Sequence, residues 1–147
     1  MDEVLAILLP MLRRFEGLRL KPYLCSAGVA TIGIGATFYQ DGRRVTMRDP
    51  AITREQAELL LRWHVNRYFL PDVIKLCPKA DTPGRIAALA DFAFNLGLGS
   101  LQRSTLRRRV NTGQWDQVPG ELRKWNRAGG VVLRGLTIRR NAESSLI

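Results

Sequence analysis

Histidine, cysteine and acidic side chains are all scarce in this 147-residue chain, which has one His, two Cys and 13 Asp plus Glu against 23 Lys plus Arg. The single histidine, His64, has no Cys or second His near it. That leaves no metal-ligand spacing and no Ser-His-Asp or Cys-His pattern, so His64 is expected to pack or to sit on a helix surface. No metal and no cofactor is expected. Cys25 and Cys77 form no CxxC pair and are too few for a disulfide scaffold. Long apolar runs are also missing. "VLAILLP" at 4–10 follows Asp2 and Glu3, whereas a membrane span needs about 20 apolar residues and a signal peptide needs a basic start. A soluble chain with no transmembrane segment and no signal peptide is expected.

What is present is an ordinary globular balance, 46% apolar and 24% charged, at a length that fits one domain. The formal charge of +10 draws such a surface to polyanions, whether nucleic acid, anionic lipid or cell-wall polymer. The densest basic clusters, "LRRRV" at 106–110 and "TIRRNAE" at 137–143, read in isolation as solvated helix faces.

Apolar residues at helical spacing (Val4, Leu5, Leu8, Leu9, Leu12, Phe15) predict a helix over 3–15. Pro10 should kink or restart it, and Gly17 should stop it. Residues 18–46 lose that period. "VATIGIG" and "RRVTM" are β-prone and "SAG" and "QDGR" are turn signals, which predicts a small antiparallel sheet. Gly33 and Gly35 alternate with Ile32 and Ile34, a pattern that suits close backbone approach. "GIGATF" lacks the third Gly of a dinucleotide loop and no helix follows it directly. The rest reads as helical. Thr53 and Gln56 make a capping box for a helix to about Tyr68. Thr82 and Pro83 open "IAALADFAFNL", apolar nearly all round and therefore buried. Shorter helices are expected at 103–111 and 114–125, a loop at "NRAGGVVLRG", and a last helix at 136–146.

Glu16 is the only carboxylate between Glu3 and Asp41, and Arg13, Arg14, Arg19 and Lys21 surround it. A carboxyl group at a helix end, partly buried where two lobes meet, can serve a glycosidase as proton donor. On spacing alone, a structural helix-end Glu salt-bridged to Arg13 or Arg19 is the favoured reading.

The stretch "RRFEGLRLKPYLCSAGVATIGIGAT" resembles the signature of the phage-type (T-even and lambdoid) lysozymes, glycoside hydrolase family 24. That signature is a Glu, eight residues, an Asp or Cys, five residues and a Thr, met here by Glu16, Cys25 and Thr31. "FAFNLGLGSLQRSTLRRRVNTG" resembles the family's central helix and the segment after it, and "KWNRAGGVVLRGLTIRRNAE" its C-terminal Trp, Gly-Gly and Gly-Leu-x-x-Arg-Arg block. Nearly the whole chain from about residue 5 is covered.

The resemblance implies an α+β, mainly α, two-lobed lysozyme fold in a single domain over 1–147. A β lobe at about 17–50, a helical lobe at about 51–147 with the N-terminal helix, and a sugar cleft between the lobes are expected. It also implies hydrolysis of the β-1,4 bond between N-acetylmuramic acid and N-acetylglucosamine. Carried over by position, Glu16 would be the general acid, and Thr31 would hold the attacking water or contact the sugar. Arg140 matches an Arg that can pair with the catalytic Glu, and Asn95 a polar substrate-contacting residue. Each of these two has a plain alternative: Arg140 as a solvated helix residue, Asn95 as the end of an apolar helix.

Better-known members carry Asp where this chain has Cys25, so Cys25 would support the water or act as nucleophile. A Cys25–Cys77 disulfide would block the site as a redox switch, although a buried free thiol is the expected state of Cys77. Ala36 stands where the family pattern usually has a His. The expected partners are bacterial peptidoglycan and, through charge, anionic wall polymers. No nucleic acid is expected, and a monomer is. The expected place is the host cytoplasm with release to the periplasm at lysis, or the virion. A lytic transglycosylase forming 1,6-anhydro products is the second reading, and a cationic wall- or nucleic-acid-binding module the third.

Overall fold

The computed structural model describes residues 1–147, mainly helical with two small antiparallel sheets. The chain divides into two compact units, Leu9–Tyr68 and the pair Met1–Leu8 with Phe69–Ile147. Its longest helix, α1 (Asp2–Glu16), supplies residues to both. Asp2 and Glu3 lie in the first turn of α1, and Arg13 and Arg14 in the last, matching the helix dipole at both ends. The expected break at Pro10 does not occur, and α1 runs through it. Proline removes one bond, to the carbonyl of Ala6, and both residues are exposed, so water can take that carbonyl.

In the unit Leu9–Tyr68, the amide of Gly17 donates to the Arg13 carbonyl at 3.1 Å, and Gly17 turns the chain out of α1 at φ +70°. Strand β1 (Arg19–Leu24) then pairs antiparallel with β2 (Ala30–Gly33), Tyr23 opposite Thr31 and Leu24 opposite Ala30. The register breaks between Arg19 and Tyr23, the interval that contains Pro22, which cannot donate to a ladder. At the other end of β2, Gly33 has φ +66°, and a Cβ there would lie 3.4 Å from both the Ala57 Cβ and the Ile52 Cδ1.

The strand expected at "RRVTM" is reduced to one bridge between Phe38 and Arg44. Asp49 is the reason. Its carboxylate accepts from the Thr46 amide (3.0 Å), the Thr46 hydroxyl (2.7 Å), the Tyr39 hydroxyl (2.7 Å) and Arg43 (3.1 Å), which bends the segment into a loop. Those hydrogen bonds hold the Asp49 carboxyl far below the ordinary carboxylate range.

Helix α2 (Arg54–His64) opens on the Thr53–Gln56 capping box, with both reciprocal bonds made. The helix expected to reach Tyr68 passes into a π-helical turn (Val65–Phe69) and continues as α3 (Leu70–Leu76). Ile32, Ala36, Val45 and Leu60 form a core against which Ala30, Tyr39, Ile52 and Trp63 pack. Beside this core, the buried His64 ring lies 4.4 Å from the Phe38 ring, and its Nε2 is 2.8 Å from the Phe38 carbonyl.

The second unit is built around α4 (Pro83–Leu96), in which every residue from Ala87 to Ala93 is buried. Thr82 caps it by accepting from the Arg85 amide at 3.2 Å. Helices α5 (Leu98–Arg103), α6 (Thr105–Asn111) and α7 (Val118–Arg123) follow. Phe92 of α4 meets Trp125 edge to face at 5.3 Å. The segment expected as a loop closes into a short hairpin, β3 (Arg127–Ala128) and β4 (Val131–Val132), turning on Gly129 and Gly130. Both glycines have positive φ, as a tight hairpin turn demands. The last helix is α8 (Arg134–Ser144). No helix is long and apolar enough to cross a membrane.

Candidate active site

Glu16 is the last residue of α1 and is half-buried. Arg13, one turn earlier, is taken by Glu58, with Nε and Nη2 each 2.8 Å from a carboxylate oxygen.

Cys25 starts the turn that joins β1 to β2. Its amide donates to the Val29 carbonyl at 3.0 Å, and its carbonyl accepts from the Gly28 amide at 2.8 Å. The turn also aims donors at sulfur. Hydrogen bonds from the backbone at Val29 and Ala27, and a smaller one from the Thr31 hydroxyl, hold the Cys25 thiol below its ordinary value despite partial desolvation. A tight turn places its amides on one side, and such a nest favours an anion.

Thr31 is buried on β2, and its hydroxyl donates to the Val29 carbonyl at 2.9 Å. A hydroxyl has one proton, so that of Thr31 serves either the Val29 carbonyl or the sulfur at a given moment. Tyr23, across the sheet from Thr31, links the group. Burial raises its phenol first, then the charge of Glu16, with Cys25 adding to the rise and Arg19 opposing it. The Tyr23 hydroxyl thus stands in the field of both Glu16 and Cys25. Sequence reasoning missed Tyr23, although its place opposite Thr31 follows from the hairpin register.

Asn95 and Arg140 both belong to the unit containing Phe69–Ile147. Arg140 is fully buried, which overturns its reading as a solvated helix residue. Its Nη2 donates to Asn95 Oδ1 at 3.0 Å and to Glu143 Oε1 at 2.6 Å, and its guanidinium lies 5.1 Å from the centre of the Phe92 ring. Asn95, in the last turn of α4, is therefore more than a helix end. Neighbouring Arg139 is buried too, held by both oxygens of Asp91 at 2.8 and 3.0 Å. The "TIRRNAE" cluster is thus an internal charge network rather than a solvated face. Burial, with Asp91 adding to it, pushes the Glu143 carboxyl up, while the guanidinium of Arg140 pulls it back.

Cys77 is buried and free, and burial raises its thiol to about 11, which makes it inert. Cys25 is free as well. No cluster of three or more His, Cys, Asp or Glu residues could hold a metal ion.

A mainly helical fold in which the end of α1 carries the Glu and a small hairpin the Cys and Thr, at this spacing, defines a class of proteins. The family described as phage lysozyme matches residues 13–143, and the chain belongs to that family. It is 37% identical over 136 residues to the endolysin of Bacillus phage B103, covering 92% of this chain and 50% of that protein. The chain therefore spans about half the length of that relative. Among solved structures, the endolysin from Escherichia coli O157:H7 phage FAHEc1 superposes with a TM-score of 0.82 at 33% identity, covering 95% of this chain and 89% of that one. The muramidase domain of SpmX from Asticaccaulis excentricus superposes with a TM-score of 0.77 at 31% identity, covering 99% and 93%.

Proposed function

We propose that this chain is a peptidoglycan hydrolase, a muramidase of the endolysin kind that cleaves the β-1,4 bond between N-acetylmuramic acid and N-acetylglucosamine. One observation supports the reading: the charges of Glu16 and Cys25 both raise the phenol of Tyr23, which lies opposite Thr31 in the sheet, as expected if the three signature residues serve one site. Relatives named as endolysins and a muramidase domain of the same fold support it.

In this reading the Glu16 carboxyl gives its proton to the glycosidic oxygen, and the leaving sugar departs as an alcohol. Water attacks the sugar C1. The Cys25 thiolate, held by the turn amides, accepts a proton from that water, and the Thr31 oxygen positions it. The new hydroxyl stays on the muramic acid. A thiol does here what a carboxylate does elsewhere because its turn favours the charged form. The +10 surface holds the enzyme to the anionic wall. The protein acts as a monomer on the periplasmic wall after release from the host cytoplasm, or as part of a virion.

The test is turbidity loss of chloroform-permeabilised Gram-negative cells, wild type against Glu16→Gln, with mass spectrometry of the digest. Lysis should fall at least about a hundredfold in Glu16→Gln, the usual scale for loss of a general acid. The wild-type product should carry a reducing-end muramic acid. A 1,6-anhydro product would establish transglycosylase chemistry instead, and full lysis by Glu16→Gln would leave only a binding module.

A further inference from the structure

We propose that a cavity formed by α6 and the turn after it binds a phosphate ester group of an anionic wall polymer. The proposal rests on the reading of the chain as a wall-bound enzyme and gives that attachment a site. All of its residues belong to the unit that contains Phe69–Ile147. Of the three arginines in "LRRRV", Arg107 is structural, its Nε donating to the Leu76 carbonyl at 2.8 Å. Arg108 and Arg109 instead line a cavity of about 250 Å³ together with Thr105, Thr112 and Gln114.

The hydrogen bonds within this lining use up acceptors and leave donors. Arg108 Nη2 donates to the Thr105 hydroxyl oxygen at 3.0 Å, so the Thr105 proton is left to donate in its turn. Arg109 Nη1 donates to Gln114 Oε1 at 2.5 Å, which fixes the Gln114 amide with its Nε2 protons available to another acceptor. Thr112 spends its proton on the Arg108 carbonyl at 2.8 Å and only shapes the wall. No carboxylate lines the cavity. Beside it, the buried Glu121 has Oε1 3.9 Å from Arg109 Nε and 3.0 Å from Lys124 Nζ, so two cations share that one charge. The cavity is left with uncancelled positive charge, two guanidinium groups, a hydroxyl and a carboxamide NH₂, a set that fits an oxyanion. A carboxylate offers two oxygens in one plane, which a single guanidinium fork satisfies. Donors spaced along α6 and the following turn suit the tetrahedral oxygens of a phosphate ester.

The experiment measures Kd by titration calorimetry at about 0.15 M salt, where exposed charges more than about 8 Å apart are largely screened. The probes are poly(glycerol phosphate), lipopolysaccharide, the same lipopolysaccharide stripped of phosphate, polyglutamate and duplex DNA. The proteins are wild type, Arg108→Gln, the uncharged double variant Thr105→Val/Gln114→Leu, and Arg48→Gln. Arg108 and Arg48 are both exposed, so their Gln variants lose the same charge without disturbing a core.

Wild type should bind a phosphate-bearing wall probe at least about tenfold more tightly than stripped lipopolysaccharide or polyglutamate. The tighter of the two wall probes identifies the source as a polyol-phosphate chain or a lipid headgroup. Arg108→Gln should weaken that binding about ten- to a hundredfold, the scale of hydrogen bonds to a charged group, and Arg48→Gln less than about twofold. The uncharged double variant should weaken it about fivefold or more at unchanged net charge. Equal losses in Arg108→Gln and Arg48→Gln, or wild-type binding by the uncharged variant, would reduce the attraction to net charge and overturn the proposal. Polyglutamate bound as tightly as the wall probes, or duplex DNA bound more tightly, would overturn it as well. All four proteins should release reducing ends from phosphate-free peptidoglycan at the same rate. Wild type releasing none overturns the muramidase reading and is distinguished from a failure of phosphate binding.

Discussion

The Cys25 amide and the Thr31 hydroxyl converge on one oxygen, the carbonyl of Val29, at 3.0 and 2.9 Å. The hairpin turn thereby fixes the thiol-bearing residue against the hydroxyl-bearing one. Because the turn amides hold the Cys25 thiol below its ordinary value of 9.0, a reaction that needs the thiolate gains rate as pH rises through that lowered value. Cys25→Asp should stay active and lose this dependence in the neutral range, since an aspartate is already ionised there. Cys25→Ser should be at least about tenfold slower at every pH, for want of an ionisable group. Rates of reducing-end release between pH 5 and pH 9 check both, and undiminished activity in Cys25→Ser removes Cys25 from the mechanism.

Legibility followed the range of the interactions. The Thr53–Gln56 box, the Thr82 cap and the Gly17 stop are local chemistry, and each stands where its residues predict. The Glu16, Cys25 and Thr31 spacing also lies within one short stretch. The "TIRRNAE" cluster taken by itself reads as a solvated face because the partners of Arg139 and Arg140 lie far along the chain. Asp91 is 48 residues from Arg139, and Asn95 is 45 from Arg140. A buried ion pair leaves no periodic trace, and the basic residues of α8 mimic an exposed face. "RRVTM" failed as a strand for a different reason: β propensity is weak, and the Asp49 carboxylate offered nearby donors a better local arrangement.

Gly17 follows Glu16 with φ +70°, and no atom lies within 4 Å of where a Cβ would stand. The cost of Gly17→Ala is therefore conformational and should be about 1–2 kcal/mol, from forcing a β-carbon into the left-handed region. Gly17→Asn should cost less, since Asn tolerates that region. Urea midpoints check the order. A Gly17→Ala variant as stable as wild type would mean that the helix stop is relaxed by a shift of the chain.

His64 links stability to pH. Burial lowers its value from 6.5, opposed by the hydrogen bond to the Phe38 carbonyl. The folded protein then binds the proton less readily than the unfolded chain. The stability contributed by neutral His64 is fully present above about pH 6.5, and it is lost as pH falls from there through the lowered folded value. Urea midpoints of wild type should therefore fall between pH 7.5 and pH 5. His64→Gln, neutral throughout, should be less stable at pH 7.5 and show a flatter slope. Parallel slopes in the two proteins would assign the loss to other groups.

Asp91 and Arg139 test how much the internal charge network contributes. Both are buried, and the pair is bidentate at 2.8 and 3.0 Å. Asp91→Ala removes the two carboxylate oxygens that hold the buried Arg139 guanidinium and should destabilise by about 3–5 kcal/mol, the scale for breaking a buried pair. Replacing both residues by apolar ones, Asp91→Leu with Arg139→Met, removes the guanidinium as well, together with the desolvation cost of the pair. The double variant should therefore recover most of what Asp91→Ala loses in urea unfolding. A double variant as unstable as Asp91→Ala would mean that the network is needed for packing of α8 on α4 beyond the balance of its charges.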